Sequence, residues 1–319
     1  MNENEPNLEF KLKYAFYPTP FKNPNLPPHL PGFVFSKNQG TPDPEIPIPA
    51  HLDEALLTGP AFISHGCHYD YEPVDVINIL TSGKKNIHYL EIGVDQGNTF
   101  NNVENVSLKH GVDPYGACKN ITHKMTSQLF FVMNKRFFNQ KYDIIFIDGM
   151  HLSEFIWNEV IESLKILNDD GFIILHDTCP RWEPSQLVLE EEYKKILNTV
   201  ISPAEKKRLH WHEISWNHHD SRLPETDMIG YNGDAWKLLP YLRAMTGRSP
   251  INAVFSIPNA CVTIISKKRI IAFEHNEVIH MQELPAEPEM LTYAYYYDNF
   301  ERIMNPFTMD YFKENINET

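Results

Sequence analysis

The chain has 319 residues, with 42 Asp and Glu against 28 Lys and Arg, for a formal net charge of −14. So acidic a balance argues against nucleic acid or an anionic membrane as the main partner, because both select clustered Lys and Arg, and no basic run is longer than Lys267-Lys268-Arg269. At 42% hydrophobic and 22% charged, the composition is that of a globular protein and excludes bulk disorder.

No stretch approaches the ~18 apolar residues of a membrane span. The polar opening residues Met1 to Pro6 contain no apolar core of a secretion signal. The four cysteines (Cys67, Cys118, Cys179, Cys261) form no CxxC pair, so the expectation is reduced thiols in a cytoplasmic protein.

Residues 1–70 are rich in proline, which fixes φ and removes a donor, so neither a regular helix nor an internal strand is expected there. Interspersed aromatics (Tyr14, Phe16, Tyr17, Phe21, Phe33, Phe35) predict an extension packed on a folded body. The body is expected over 71–270. Val74–Leu80 reads as a helix stopping near Gly83. Ile87–Gly93 reads as a buried strand, Asn98–Leu108 as a helix, and His110–Pro114 as a short strand. Ser127–Phe138 is amphipathic and predicted helical. Tyr142–Gly149 is a continuous apolar run, the pattern of a parallel strand covered on both faces.

Leu152, Phe155, Ile156, Val160, Ile161, Leu164 and Leu167 recur at helical spacing up to an Asn168–Gly171 turn, and Phe172–Asp177 is a further buried strand. Glu190–Val200 and Asp234–Met245 read as helices. Ala253–Ile257 and Ala260–Ser266, joined through Pro258-Asn259, read as an antiparallel edge hairpin. Residues 271–319 form an aromatic C-terminal extension predicted to pack on the body. The fold class predicted is α/β, a Rossmann-like, doubly wound and mostly parallel sheet ending in that hairpin.

Ligands of such sheets sit beyond the carboxyl ends of the strands. The first strand-to-helix turn there is Glu91-Ile92-Gly93-Val94-Asp95-Gln96-Gly97-Asn98-Thr99. Its two glycines allow a sharp bend and close approach of a ligand. Asp95 stands where a dinucleotide loop has its middle glycine, which opposes a pyrophosphate but tolerates a zwitterionic or cationic ligand. Asp113, 22 residues after Glu91, closes the second strand, where a carboxylate can accept both hydroxyls of a ribose. Alone, each acid reads as a solvated strand end; together they read as a nucleoside site.

Glu91-Ile92-Gly93-x-x-x-Gly97 with Asp113, Asp148 and the Asp169-Asp170-Gly171 turn resembles class I S-adenosylmethionine-dependent methyltransferases over about residues 85–180. Phe146-Ile147-Asp148-Gly149-x-His151 followed by Leu175-His176-Asp177 is similar to a branch of small-molecule O-methyltransferases that includes metal-dependent enzymes acting on sugars. Thr122–Ser127 and Gly233-Asp234-x-Trp236-Lys237 also resemble bacterial members of it.

The resemblance implies that the Gly93–Gly97 loop, with Val94, holds the methionine part of S-adenosylmethionine, that Asp113 holds the ribose, and that Glu91, Asn98 and Thr99 also belong to the cofactor site. It places Ser127 and Gln128 near the adenine and Asp148 toward the cofactor. It implies a hydroxyl of a sugar, glycan or other polyhydroxylated small molecule as acceptor.

Methyl transfer needs alignment and a base for the hydroxyl proton, and His151 at the mouth of the sheet is the candidate base beside Asp148, against a capping role for the next helix. Asp148 and Asp177, ending neighbouring strands with His176 between them in type, form a candidate site for Mg²⁺ or Mn²⁺. Metal-dependent relatives carry an acid where His176 stands. The metal-free alternative leaves Asp148 to the cofactor and Asp177 to a loop.

His65-Gly66-Cys67-His68, His210-Trp211-His212 and His218-His219 show no paired zinc spacing. Residues 178–232 read as an acceptor or lid insertion, in which Trp182, Trp211 and Trp216 are candidate stacking platforms. Two competing functions are a non-catalytic module that binds S-adenosylmethionine or S-adenosylhomocysteine, and a nucleotide-sugar or NAD enzyme on a similar sheet. A homo-oligomer is compatible with either extension.

Overall fold

The computed structural model describes residues 71–180, 183–186, 231–274 and 277–316. The proline-rich segment 1–70, the predicted helix at 190–200, the histidine groups at 65–68, 210–212 and 218–219, and Trp182, Trp211 and Trp216 lie outside the described residues.

Helix α1 (Pro73–Thr81) begins with proline in its first turn and a reciprocal capping box between Glu72 and Asp75, and buries Val76, Ile77 and Leu80. Strand β1 (Ile87–Ile92) is buried along nearly its whole length. Helix α2 occupies only Asn98–Asn102, and strand β2 already begins at Val106 and runs to Val112. The expected long helix over 98–108 is therefore corrected. Asn105 takes φ 58 and turns the chain, and the segment from Val106 pairs in parallel with β1, so sheet pairing overrides a helical reading.

Helix α3 (Ser127–Met133), capped by the Thr126 side chain, continues as a π-helical turn over Asn134–Phe138. Strand β3 (Tyr142–Ile147) leads into α4 (Ser153–Ile166), whose buried Ile156, Val160, Ser163 and Leu164 follow helical spacing. Strand β4 spans Leu167–Leu175. Its partner β3 shifts register between Tyr142 and Ile144, where the Asn168–Gly171 turn bulges out of an otherwise continuous strand.

After a 3₁₀ turn at Ala235–Leu238 comes α5 (Leu239–Met245). The hairpin follows as β5 (Ala253–Ile257) and β6 (Val262–Ser266), joined by the Pro258–Ala260 turn and left-handed Cys261. Helices α6 (Tyr293–Asp298), α7 (Phe300–Met304) and α8 (Met309–Asn315) end the described chain.

The sheet order is β2-β1-β3-β4-β6-β5. β2, β1, β3 and β4 are parallel, and β6 and β5 are antiparallel to their neighbours. This is a Rossmann-like α/β fold. The strand order reverses between β1 and β3, and the carboxyl ends of the strands at such a reversal are where sheets of this kind take ligands in a crevice.

Alternation sorts the strand residues onto two cores. Leu90, Ile92, Ile145, Ile147, Ile173 and Leu175 face α4, Trp236 and Tyr296. Tyr89, Ile144, Phe146 and Ile174 face α1 and the Phe255–Phe273 stack. Among the described residues no helix is long and apolar enough to cross a membrane. Cys118, Cys179 and Cys261 are free thiols.

Phe255 is fully buried with its ring centroid 4.2 Å from that of Phe273. Phe255→Ala leaves a cavity remote from the carboxyl ends of β1 and β3. Chemical denaturation is expected to show a loss of about 3–5 kcal/mol. A loss below about 1 kcal/mol would contradict the packing described.

Candidate functional site

The crevice is built where β1 and β3 end. Gly93 follows β1 with φ +87, and a Cβ built on it would lie 2.0 Å from the Asp148 carbonyl oxygen, so only glycine fits against the end of β3. The Gly93 N–H donates to Val112 O at 2.9 Å, and Asp148 N–H donates to Ile92 O at 2.8 Å, which locks the three strand ends together. Gly97, also left-handed at φ +85, opens α2, and Cys118 Sγ would stand 2.5 Å from a Cβ there. Val94 is buried and Asn98 is exposed at the start of α2, with Thr99 half-buried beside it.

Glu91 is not a solvated strand end. It is 1% exposed and accepts the Tyr89 hydroxyl on the same strand face, two residues away. Burial pushes its carboxyl up to about 8, and the Tyr89 hydrogen bond and the Lys109 charge offset only part of that. Asp113 stands at the end of β2, as expected from sequence. Its Oδ1 accepts the N–H groups of Tyr115 and Gly116 at 2.7 and 2.6 Å, and its Oδ2 accepts Asp95 N–H at 2.9 Å, so it also ties the glycine turn to the next loop. Gln128 is exposed. Ser127 is buried and donates its hydroxyl to Glu159 Oε1 at 2.6 Å.

Glu159, on α4, was given no role by the sequence reading. Burial pushes its carboxyl up to about 7, partly offset by Ser127 and by His151. Its other oxygen has no hydrogen-bond partner.

The ends of β3 and β4 bring four predicted residues together. Asp148 Oδ1 is 2.9 Å from His176 Nδ1 and 3.4 Å from His151 Nε2. Asp177 Oδ2 is 3.0 Å from His151 Nδ1 and 3.4 Å from His176 Nδ1. Two carboxylate oxygens thus alternate with two imidazoles. Burial alone would raise Asp148, but His176 and His151 outweigh it and hold the carboxyl well below the usual carboxylate range. Burial alone would lower both histidines. The charges of Asp177 and Asp148 reverse this, holding His151 above the ordinary imidazole range and His176 at about 10.

The donor set that converges within 4.8 Å is Asp148, His151 and Asp177. The residue read from sequence as a base therefore lies inside the donor triangle, with His176 against it. His151 Nδ1 is buried and lacks an aligned hydrogen bond despite its short contact with Asp177. Two carboxylates and an imidazole with an unsatisfied nitrogen are chemistry that fits a hard or borderline divalent cation.

A family model described as a methyltransferase domain matches residues 90–178, the stretch that carries β1 to the end of β4. Over this stretch the chain is similar to methyltransferase domains. No curated protein matches the sequence.

Solved structures similar to the chain include the MycE methyltransferase from the mycinamycin biosynthetic pathway in complex with Mg and SAH, at 13% identity and a TM-score of 0.32, covering 61% of this chain and 48% of that one. The same enzyme with Mg, SAH and mycinamycin VI gives 11% identity and a TM-score of 0.30, covering 58% and 45%. The chain spans about half the length of these structures.

The raised carboxyl of Glu91 predicts a pH signature for the stability of the fold. Its folded value of about 8 exceeds the ordinary 4.5, so its contribution to stability is complete below about 4.5 and is lost as pH rises through 8. Glu91→Gln removes the ionisable group and is expected to raise the thermal midpoint at pH 8 by about 5 °C or more over wild type, with little gain near pH 4.5. Equal gains at both pH values would refute the assignment.

Proposed function

We propose that the protein transfers a methyl group from S-adenosylmethionine to a hydroxyl of a sugar, glycan or other polyhydroxylated small molecule. The observation that carries this reading is the Asp148–His151–His176–Asp177 cluster, set at the carboxyl ends of the two strands beside the glycine crevice.

In this reading Gly93, Val94, Gly97, Asn98 and Thr99 cradle the methionine part of the cofactor, with Glu91 beneath them. Asp113 takes the ribose hydroxyls, and Ser127 and Gln128 border the adenine. S-adenosylmethionine, when bound, supplies the electrophilic methyl group.

The chain's own task is to hold the acceptor oxygen in line with that methyl and to remove its proton. His151 is the base. Its ring stands between the two carboxylates, within reach of any hydroxyl laid across them. Asp177 and Asp148 stabilise the imidazolium once the proton has moved. A divalent cation such as Mg²⁺ or Mn²⁺ held by Asp148 and Asp177, with His176 alongside, would supply Lewis acidity toward the acceptor hydroxyls.

The free thiols among the described residues suit a reducing, cytoplasmic setting. A module that binds the cofactor without turnover would have no need of two carboxylates and two imidazoles at the crevice mouth. A pyrophosphate ligand is disfavoured by Asp95 in the glycine turn.

A methyl-transfer screen over glycan, polyol and phenolic acceptors, with Mg²⁺, with Mn²⁺ and with EDTA, tests the reading. Turnover on a polyhydroxylated acceptor is expected, falling in EDTA. His151→Ala is expected to lose about 10²–10⁴ in kcat while still binding S-adenosylmethionine. Full turnover in His151→Ala would remove it as the base, and turnover confined to a nitrogen or carbon acceptor would refute the hydroxyl assignment.

A further inference from the structure

The turn Tyr231-Asn232-Gly233-Asp234 arrives from about 55 to 80 residues further along the chain, yet it touches both halves of the cluster. Asn232 is 2% exposed, and its Nδ2 donates to Asp177 Oδ1 at 2.9 Å. That bond occupies one oxygen of Asp177 and leaves Oδ2 for the contacts with His151 and His176. Gly233 has φ +60, and a Cβ built on it would lie 2.1 Å from His151 O and 2.7 Å from His151 Cβ. The turn is therefore pressed directly against the His151 backbone.

Asp234 N–H donates to His151 O at 3.0 Å. The Asp234 carboxylate accepts Ser153 N–H at 2.6 Å and Ser153 Oγ–H at 3.1 Å, at the first residue of α4. The Tyr231 ring stacks on the His151 imidazole, with centroids 5.9 Å apart and planes 19° from parallel. The turn is itself anchored, because the N–H groups of Asn232 and Gly233 both donate to Ser185 O, at 2.8 and 3.0 Å.

What the turn holds is uncommon backbone. His151 and Asp177 both have φ 55, in the left-handed region that few non-glycine residues enter, Asn, Asp and His more readily than the rest. Backbone of that kind persists only where its surroundings over-determine it. A turn that only capped α4 would need the Asp234–Ser153 bonds and nothing more. The Asn232–Asp177 bond and the Gly233–His151 contact do not serve the helix. They serve two residues of the cluster.

We propose that the 231–234 turn is a positioning element that fixes His151 and Asp177, by the Asn232 amide on the Asp177 carboxylate and by Gly233 and Asp234 on the His151 backbone, so that their donor atoms converge with Asp148. The proposal rests on reading the cluster as the metal and acceptor site. Partners that orient ligating side chains in this way are commonly worth 10- to 100-fold in metal affinity.

The test uses the full chain, with Asn232→Ala and Gly233→Ala. Binding of Mn²⁺ is followed by electron paramagnetic resonance of the free ion, S-adenosylmethionine binding by calorimetry, and the His151 ring by ¹⁵N resonances of histidine-labelled protein without metal. Asn232→Ala is expected to weaken Mn²⁺ by about 10-fold or more with cofactor binding unchanged. Both variants are expected to move the His151 ring resonances.

Wild-type Mn²⁺ affinity in Asn232→Ala, or unmoved His151 resonances in a folded variant, would overturn the proposal. Should wild type itself bind no Mn²⁺, the metal part of the proposed function falls. The turn is then decided by the His151 resonances alone, and by Asn232→Ala alone if Gly233→Ala does not fold.

Discussion

The carboxyl ends of β1 and β3 touch, and the rest of the site depends on that contact. The Asp148 carbonyl occupies the space where any side chain at position 93 would have to begin. Glycine at that point lets the chain leave β1 with a left-handed turn, cross in front of β3 and start α2 from a second left-handed glycine at position 97. The crevice at the reversal of strand order is a consequence of this close approach. So is the placement of Asp148, whose backbone is fixed by Ile92 while its side chain projects to the mouth. The parallel register of β3 and β4 does the remainder, because pairing Ile147 with Leu175 brings the residues that follow them side by side.

Charge is distributed unevenly around that crevice. Beneath the glycine turn, Glu91 is raised to about 8 by burial, and under α4 Glu159 is raised to about 7, so both acids resist ionisation. At the mouth, the carboxyl of Asp148 is held in its charged form by two imidazoles, which are themselves raised by Asp148 and Asp177. Ionised carboxyls are thus confined to the mouth and withheld from the interior. Two carboxylates so close need positive charge between them. In the structure His176, held at about 10, supplies it.

The sheet was legible in the sequence because its strands are short apolar runs buried on both faces, and Ile144 to Ile147 or Ile173 to Leu175 admit little else. The length of α2 was not legible. Val103, Glu104 and Asn105 look helical in isolation, and only pairing with β1 makes Val106 a strand residue. Among site residues, Asp148, His151, His176 and Asp177 were readable because each follows an apolar strand directly, and position after a strand fixes position at the mouth.

Asn232, Asp234 and Glu159 carried no such signal. A buried carboxyl on the inner face of α4 looks like any polar residue interrupting an apolar stripe. The bond from Asn232 to Asp177 spans 55 residues that share no periodicity. The Gly233-Asp234 pair did stand out by resemblance, but only the structure shows what it presses on.

Calorimetric titration of S-adenosylmethionine into wild type and Gly93→Ala, with NAD as the competing ligand, reads the crevice directly. A single saturable site for S-adenosylmethionine in wild type, weakened at least about tenfold by the added methyl group and unaffected by NAD, is the expected result. No saturable heat with S-adenosylmethionine, or NAD filling the same site, would contradict the account.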